Sequence, residues 1–156
     1  MVLKQASIAQ VKHAALERDN AHIVITMRFY PRFLKKELRD DFQCELAPPK
    51  ELLHDFNEAQ TKLKDHNLAF DESEYEQRFD LSAKGVGLLQ SYSQMSKEKD
   101  VYFVCICEIG QMCHREILLL MAKRLYRVEI GEVFNSYPTI MGRLESGKMR
   151  GAKLNC

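Results

Sequence analysis

Apolar positions along the chain fall into short β-branched or continuous runs separated by stretches of helical spacing. Residues 22–27, His-Ile-Val-Ile-Thr-Met, are apolar on both faces and predict a strand covered by helices on each side. Residues 101–107 repeat that pattern, with Val101, Phe103, Cys105 and Cys107 on one face and Tyr102, Val104 and Ile106 on the other. Residues 2–8 could form a first short strand. In residues 127–133, Val128 and Ile130 alternate with charges and suggest a last, more exposed one.

Helical spacing links these runs. Ile8, Val11, Ala15 and Leu16 mark a helix over residues 8–16. Pro48-Pro49 starts a second, whose stripe is Leu52, Leu53, Phe56, Ala59 and Leu63. Residues 70–95 keep the spacing, but Gly85 and Gly87 weaken it and predict a kink or two helices. Pro31 ends the strand that begins at His22, and residues 35–42 are charged and read as loop or weak helix.

Strands joined through helices predict an α/β fold: a single-domain three-layer α/β/α sandwich, Rossmann-like or flavodoxin-like, with about four mainly parallel strands. The domain is expected over residues 1–134. Residues 135–156 read as a loosely ordered basic tail, since residues 142–156 hold three glycines and four basic residues against one Glu. In open sheets of this class ligands bind beyond the carboxyl ends of the strands. Two such ends are rich in reactive or charged groups, residues 28–32 and 107–115, and the fold class predicts that they face each other.

Composition narrows the function classes. With 46% hydrophobic and 29% charged residues in 156, the chain has the profile of one globular domain. The net charge of +1 leaves no global field to attract nucleic acid or membrane. The longest apolar run, residues 117–122, is too short to span a bilayer, and residues 1–10 lack the apolar core of a signal peptide. Five cysteines, an odd number, fit free thiols in a reducing, cytoplasmic setting. Cys44 and Cys105 read as small apolar side chains of the core.

The chemistry concentrates at residues 107–115. Cys107 and Glu108 close a strand, Gly110 permits a turn, and Cys113-His114-Arg115 opens a helix. Exposed N–H groups at such an opening favour an anion and lower a thiol's pKa. Four readings stand side by side. The motif could be structural. It could serve an enzyme, with Cys107, Glu108, Cys113 and His114 as chemical groups and Arg28, Tyr30, Arg32 and Arg115 holding a phosphate- or carboxylate-bearing small molecule. Cys105, Cys107, Cys113 and His114 could bind metal, although Cys105 and Cys107 lack the two-residue spacing of a zinc knuckle. Lys148, Arg150 and Lys153 could serve a nucleic-acid module. No metal site is assigned, and no membrane partner is expected. No Walker loop, dinucleotide fingerprint, nucleophile elbow or phosphatase loop occurs, so no cofactor is implied.

The same residues resemble the domain of unknown function 488 family. Cys107-Glu108 followed by Cys113-His114-Arg115 is similar to its central motif, and Val128-Glu129-Ile130 to its closing strand. Phe29-Tyr30-Pro31-Arg32, Lys35-Lys36 and Glu45-Leu46-Ala47-Pro48 resemble its Trp-Pro-Arg and Leu-Ala-Pro signature, and Arg28 its arginine after the second strand. Two positions depart from it. Tyr30 replaces a Trp, and Thr26-Met27 stand where an acidic residue usually precedes the arginine. The resemblance covers residues 23–130. It implies a small α/β sandwich and leaves the biochemical role unassigned.

Overall fold

The computed structural model describes residues 1–13, 16 and 19–149. Four strands form one parallel sheet: β1 (Leu3–Ser7), β2 (Ala21–Ile25), β3 (Asp41–Phe42) and β4 (Asp100–Cys105), in the order β1-β4-β2-β3. β4 is therefore central, pairing Leu3 with Val101 on one side and Ala21 with Asp100 on the other. Its alternation sorts the core into two layers. Val101 and Phe103 join Leu3 and Val24 under the larger helical layer. Tyr102 and Val104 join Ala6, Ile23 and Ile25 on the opposite face. There the cover is α1 (Ile8–Lys12) and Leu34 of the loop after β2. Ser7 starts α1 in a capping box with Gln10, which satisfies backbone donors at its first turn.

The larger layer holds α2 (Lys50–Leu63), α3 (His66–Glu72), α4 (Tyr75–Arg78), α5 (Ala83–Met95), α6 (His114–Tyr126) and α7 (Pro138–Glu145). The helical spacing of residues 70–95 breaks at Glu74, whose φ of 55° stops α3, and again before Ser82, which caps α5. Neither Gly85 nor Gly87 breaks anything, since both lie inside α5. Gly85 instead lets the helix meet the chain near Glu45: a Cβ there would stand 2.6 Å from the Glu45 carbonyl oxygen, while one on Gly87 would meet open space. Gly85→Ala should therefore destabilise by about 2 kcal/mol, and Gly87→Ala should stabilise by up to about 1 kcal/mol through helix propensity. Urea midpoints of the two variants check the opposite signs.

Two expected elements come out differently. Residues 127–133 form no strand, only a parallel bridge between Leu3 and Ile130. Two backbone bonds make that bridge, Leu3 N–H to the Glu129 carbonyl and Gly131 N–H to the Leu3 carbonyl, and beyond it side chains hold the chain: Gln5 Nε2 donates to the Glu132 carbonyl and the Phe134 N–H is given to Glu116. The fourth strand is β3, in a stretch with no apolar alternation. Asp41 is held there by His22 Nε2 at 2.6 Å and the Tyr92 hydroxyl at 2.6 Å, and Asp40 accepts from the Ile23 N–H. Polar partners, not burial, specify it.

The tail reading also needs correction over residues 135–149. α7 begins with Pro138 in its first turn and buries Ile140 and Leu144, with Tyr137 and Met149 buried beside it. Glu76 accepts from the Thr139 and Ile140 N–H groups, and Arg143 donates to the carbonyls of Glu76 and Phe79. Arg150, Lys153 and Cys156 lie outside the described residues. Among those described, no helix is long and apolar enough to cross a membrane.

Candidate functional site

β2 and β4 are neighbours whose chains leave in opposite directions. After β2 the chain turns outward to β3, and after β4 it runs through α6 toward the edge beside β1. Such a divergence opens a crevice at the carboxyl ends of the two strands. A cleft of about 560 Å³ lies there. Met27, Arg28 and Phe29 line it from the β2 end, residues 105–108 and 111–114 from the β4 end, and Phe56, Asn57, Gln60, His66, Phe70 and Tyr75 from the helices above.

Its floor is made of thiols and an imidazole. Cys113 is the N-cap of α6, with extended backbone, so the helix begins at His114. The Cys113 sulfur lies 3.5 Å from His114 Nδ1, and His114 Nε2 lies 2.7 Å from the Thr26 carbonyl oxygen. The carbonyl fixes the ring so that Nδ1 is the nitrogen facing the sulfur. Cys105 Sγ and Cys107 Sγ stand 3.9 Å apart beside them. Burial of Cys113 would raise its pKa, but hydrogen bonds from Cys105 and Cys107, the Arg115 charge and the Arg115 backbone N–H together hold the thiol well below its ordinary value. Cys107 moves the other way, since its hydrogen bonds to Cys105 and Cys113 keep the proton there and burial adds to the effect. Tyr75, fully buried above the sulfurs, has its hydroxyl held neutral by desolvation and by the nearby thiol charge.

The expected site residues divide. Cys107, Glu108, Cys113, His114 and Arg28 line the cleft. Glu108 is exposed at the rim. Arg28 donates through Nε and Nη2 to the Pro48 carbonyl at 3.3 and 3.0 Å, and among the described residues no carboxylate forms an ion pair with it. Arg115 does not line the cleft. It is fully buried, and its guanidinium donates to the carbonyls of Ala6, Cys105, Cys107 and Glu108, which pins the β4–α6 turn to β1. Tyr30 faces away from the cleft, with its hydroxyl on the Leu34 carbonyl and its ring edge-on to Phe42. Arg32 is exposed and lines no part of the cleft. Both follow Phe29, where the loop swings toward the thinner layer.

The turn itself needs Gly110, whose φ is +99°. Glu108 and Gln111 bond each other across it, and Asn67 and His66 at the start of α3 hold Met112 by its N–H and carbonyl. All of this lies between β1 and the last turn of α6. A family model described as the active DUF488-N3 subclade matches residues 6–124, the same span. The chain belongs to the DUF488 family. No curated protein and no solved structure gives a significant match. The DUF488 match stops before α7, so the whole cleft except any contribution from residues beyond 124 falls inside the family region.

Sequence reasoning missed several cleft groups. Thr26 supplies its backbone carbonyl, which no side-chain pattern announces. Asn57 and Gln60 look like the solvated side of the α2 stripe, and only the docking of α2 over the β4 end puts them on the cleft wall, with Asn57 still exposed. Tyr75 reads as part of a helical stripe and Tyr137 as part of the tail, yet the Tyr137 hydroxyl accepts from the Cys113 N–H at 3.0 Å and so completes the cap of α6. The sulfur atoms of Cys105 and Cys113 and a ring nitrogen of His114 lie within 4.8 Å of one another, close enough to share a metal ion.

Proposed function

We propose that the cleft is the active site of an enzyme that binds a small molecule carrying a planar, nucleobase-like ring and an anionic group. The observation that carries this reading is the position of the thiol and imidazole groups: Cys113 and His114, 3.5 Å apart, lie on the floor of a 560 Å³ cleft at the strand switch point. Aromatic walls at Phe29, Phe56 and Phe70 suit the faces of a flat ring, and the amides of Asn57 and Gln60 suit its edges. Arg28 suits a phosphate or carboxylate, having no carboxylate partner among the described residues. Cys107, Glu108, Cys113 and His114 are the chemical groups in this reading, with Glu108 placed at the rim to exchange a proton with the bound molecule. The matched subclade is described as active, which supports an enzyme over a binding module.

The test is titration calorimetry with nucleosides, nucleotides and inorganic phosphate. Arg28→Ala should weaken a phosphorylated ligand by about 10- to 100-fold, the loss of a charge-assisted hydrogen bond, and leave the matching nucleoside unchanged. Failure of the entire panel to bind would sink the reading. A non-enzymatic nucleic-acid or protein module, with Cys113-His114-Arg115 purely structural, is favoured only by the buried role of Arg115. That alternative requires binding that depends on Lys148, Arg150 and Lys153 and falls steeply with salt.

A further inference from the structure

We propose that Cys105, Cys113 and His114 hold a divalent metal ion of the zinc class on the cleft floor, with its fourth position turned toward Cys107 and the bound ligand. A tetrahedral zinc ion with thiolates at about 2.3 Å and an imidazole at about 2.0 Å requires donor separations of about 3.8 Å between sulfurs and about 3.5 Å between sulfur and nitrogen. The sulfur–nitrogen spacing is already present, Cys113 Sγ to His114 Nδ1 being 3.5 Å, and Cys105 Sγ lies within 4.8 Å of both. All three proposed donors lie within 4.8 Å of one another, and their residues are buried.

The surroundings are arranged as a ligand shell would need. His114 gives Nε2 to the Thr26 carbonyl at 2.7 Å, with the Thr26 hydroxyl 3.2 Å away, so Nδ1 is left for the cluster. A backbone carbonyl on the far nitrogen is the usual support of a metal-binding histidine. Arg115 grips the carbonyls of Cys105 and Cys107 at 3.2 and 2.8 Å, which fixes the backbone that carries two of the sulfurs. Thiols that merely fill a core pack against aliphatic carbon. Here two of them gather around one ring nitrogen, and a third, Cys107, stands 3.9 Å from Cys105. Soft thiolate and imidazole donors select zinc over magnesium or calcium. The second donor group, His54, Asp55 and Glu58, is exposed along α2 and carries no such argument.

Binding would release to solvent whichever protons the two ligand thiols still carry, in exchange for the ion. Once held, the ion supplies a Lewis acid facing the bound molecule. The proposal rests on the reading of the cleft as an active site for the ion's use, though not for its binding. The two can therefore fail separately.

The experiment uses the full chain, purified under reducing conditions, stripped with chelator and titrated with Zn²⁺ and Co²⁺. Elemental analysis should find one zinc per chain, and cobalt should give the thiolate charge-transfer absorption and visible bands of a tetrahedral site. Cys113→Ser and His114→Ala, checked for native circular dichroism, should weaken binding by more than about 100-fold. Sub-stoichiometric zinc, a cobalt complex without charge-transfer absorption, or affinity unchanged in Cys105→Ser and Cys113→Ser would each overturn the proposal. The cobalt spectrum of the unmodified chain decides even where a variant fails to fold. Nucleotide bound by a metal-free protein would end the ion and spare the cleft, whereas stoichiometric metal with no ligand from the panel would do the reverse.

Discussion

Arg115→Ala should lower the unfolding free energy by about 3–5 kcal/mol, a large share of what holds a domain of this size together. The side chain is fully buried, and three of its four hydrogen bonds run from Nη1 to the carbonyls of Ala6, Cys105 and Cys107, the fourth from Nη2 to Glu108. Alanine removes every donor at once and leaves those acceptors facing a cavity. Breaking such a network is one of the few mechanisms that produces losses of this size. Lysine keeps the charge but has no planar fork to serve several carbonyls, so Arg115→Lys should recover only part of the loss. Urea unfolding with unchanged slope is the measurement, and a shift below about 1 kcal/mol would mean that the turn is held by something else.

The second large effect is expected at Glu116. Its carboxylate is fully buried and faces only donors: Gln5 Nε2 at 3.0 Å and the Phe134 N–H at 2.6 Å on one oxygen, Asn135 Nδ2 at 2.8 Å and the Tyr137 hydroxyl at 2.8 Å on the other. A carboxylate is acceptor-only, which is what four convergent donors require. Glu116→Gln preserves shape yet points an NH₂ at one of those pairs. It should therefore destabilise by about 2–3 kcal/mol, nearly as much as Glu116→Ala. Paired thermal and urea melts of the two variants test this, and a harmless Gln substitution would contradict it. Because Tyr137 links Glu116 to the Cys113 N–H, either variant should also loosen the start of α6.

Burial and period made much of this protein legible from its residues. The runs at 22–27 and 101–107 are apolar on both faces, and a parallel, doubly covered sheet is the physical answer to that pattern. Residues 107–115 stood out because polar and reactive types interrupt an otherwise apolar unit. The rest depends on contacts that period cannot encode. β3 is specified by His22, Ile23 and Tyr92, which bond Asp41 and Asp40 from other places in the chain. α7 is anchored by Glu76 and Arg143, a pairing invisible to a search for composition. The placement of Arg115 depends on the tertiary fold for a related reason. An arginine at a helix opening suggests an anion, and only the tertiary fold shows four backbone carbonyls within its reach. Cys105, read as core, is buried as expected, yet its sulfur belongs to the cleft floor.

The central place of β4 has a consequence for how the chain finds its structure. β1 and β2 do not pair with each other, and each waits for a strand about eighty or more residues further along, Leu3 for Val101 and Ala21 for Asp100. High contact order of this kind makes loop closure the dominant obstacle to folding, since long segments must be restrained before any ladder bond rewards them. During synthesis β1 leaves the ribosome with no strand partner and β2 with only the two-residue β3 along one edge, so both keep open edges until residue 105 has emerged. The strand that ends in the reactive turn is thus also the keystone of the sheet, and the cleft cannot exist in any intermediate that lacks it.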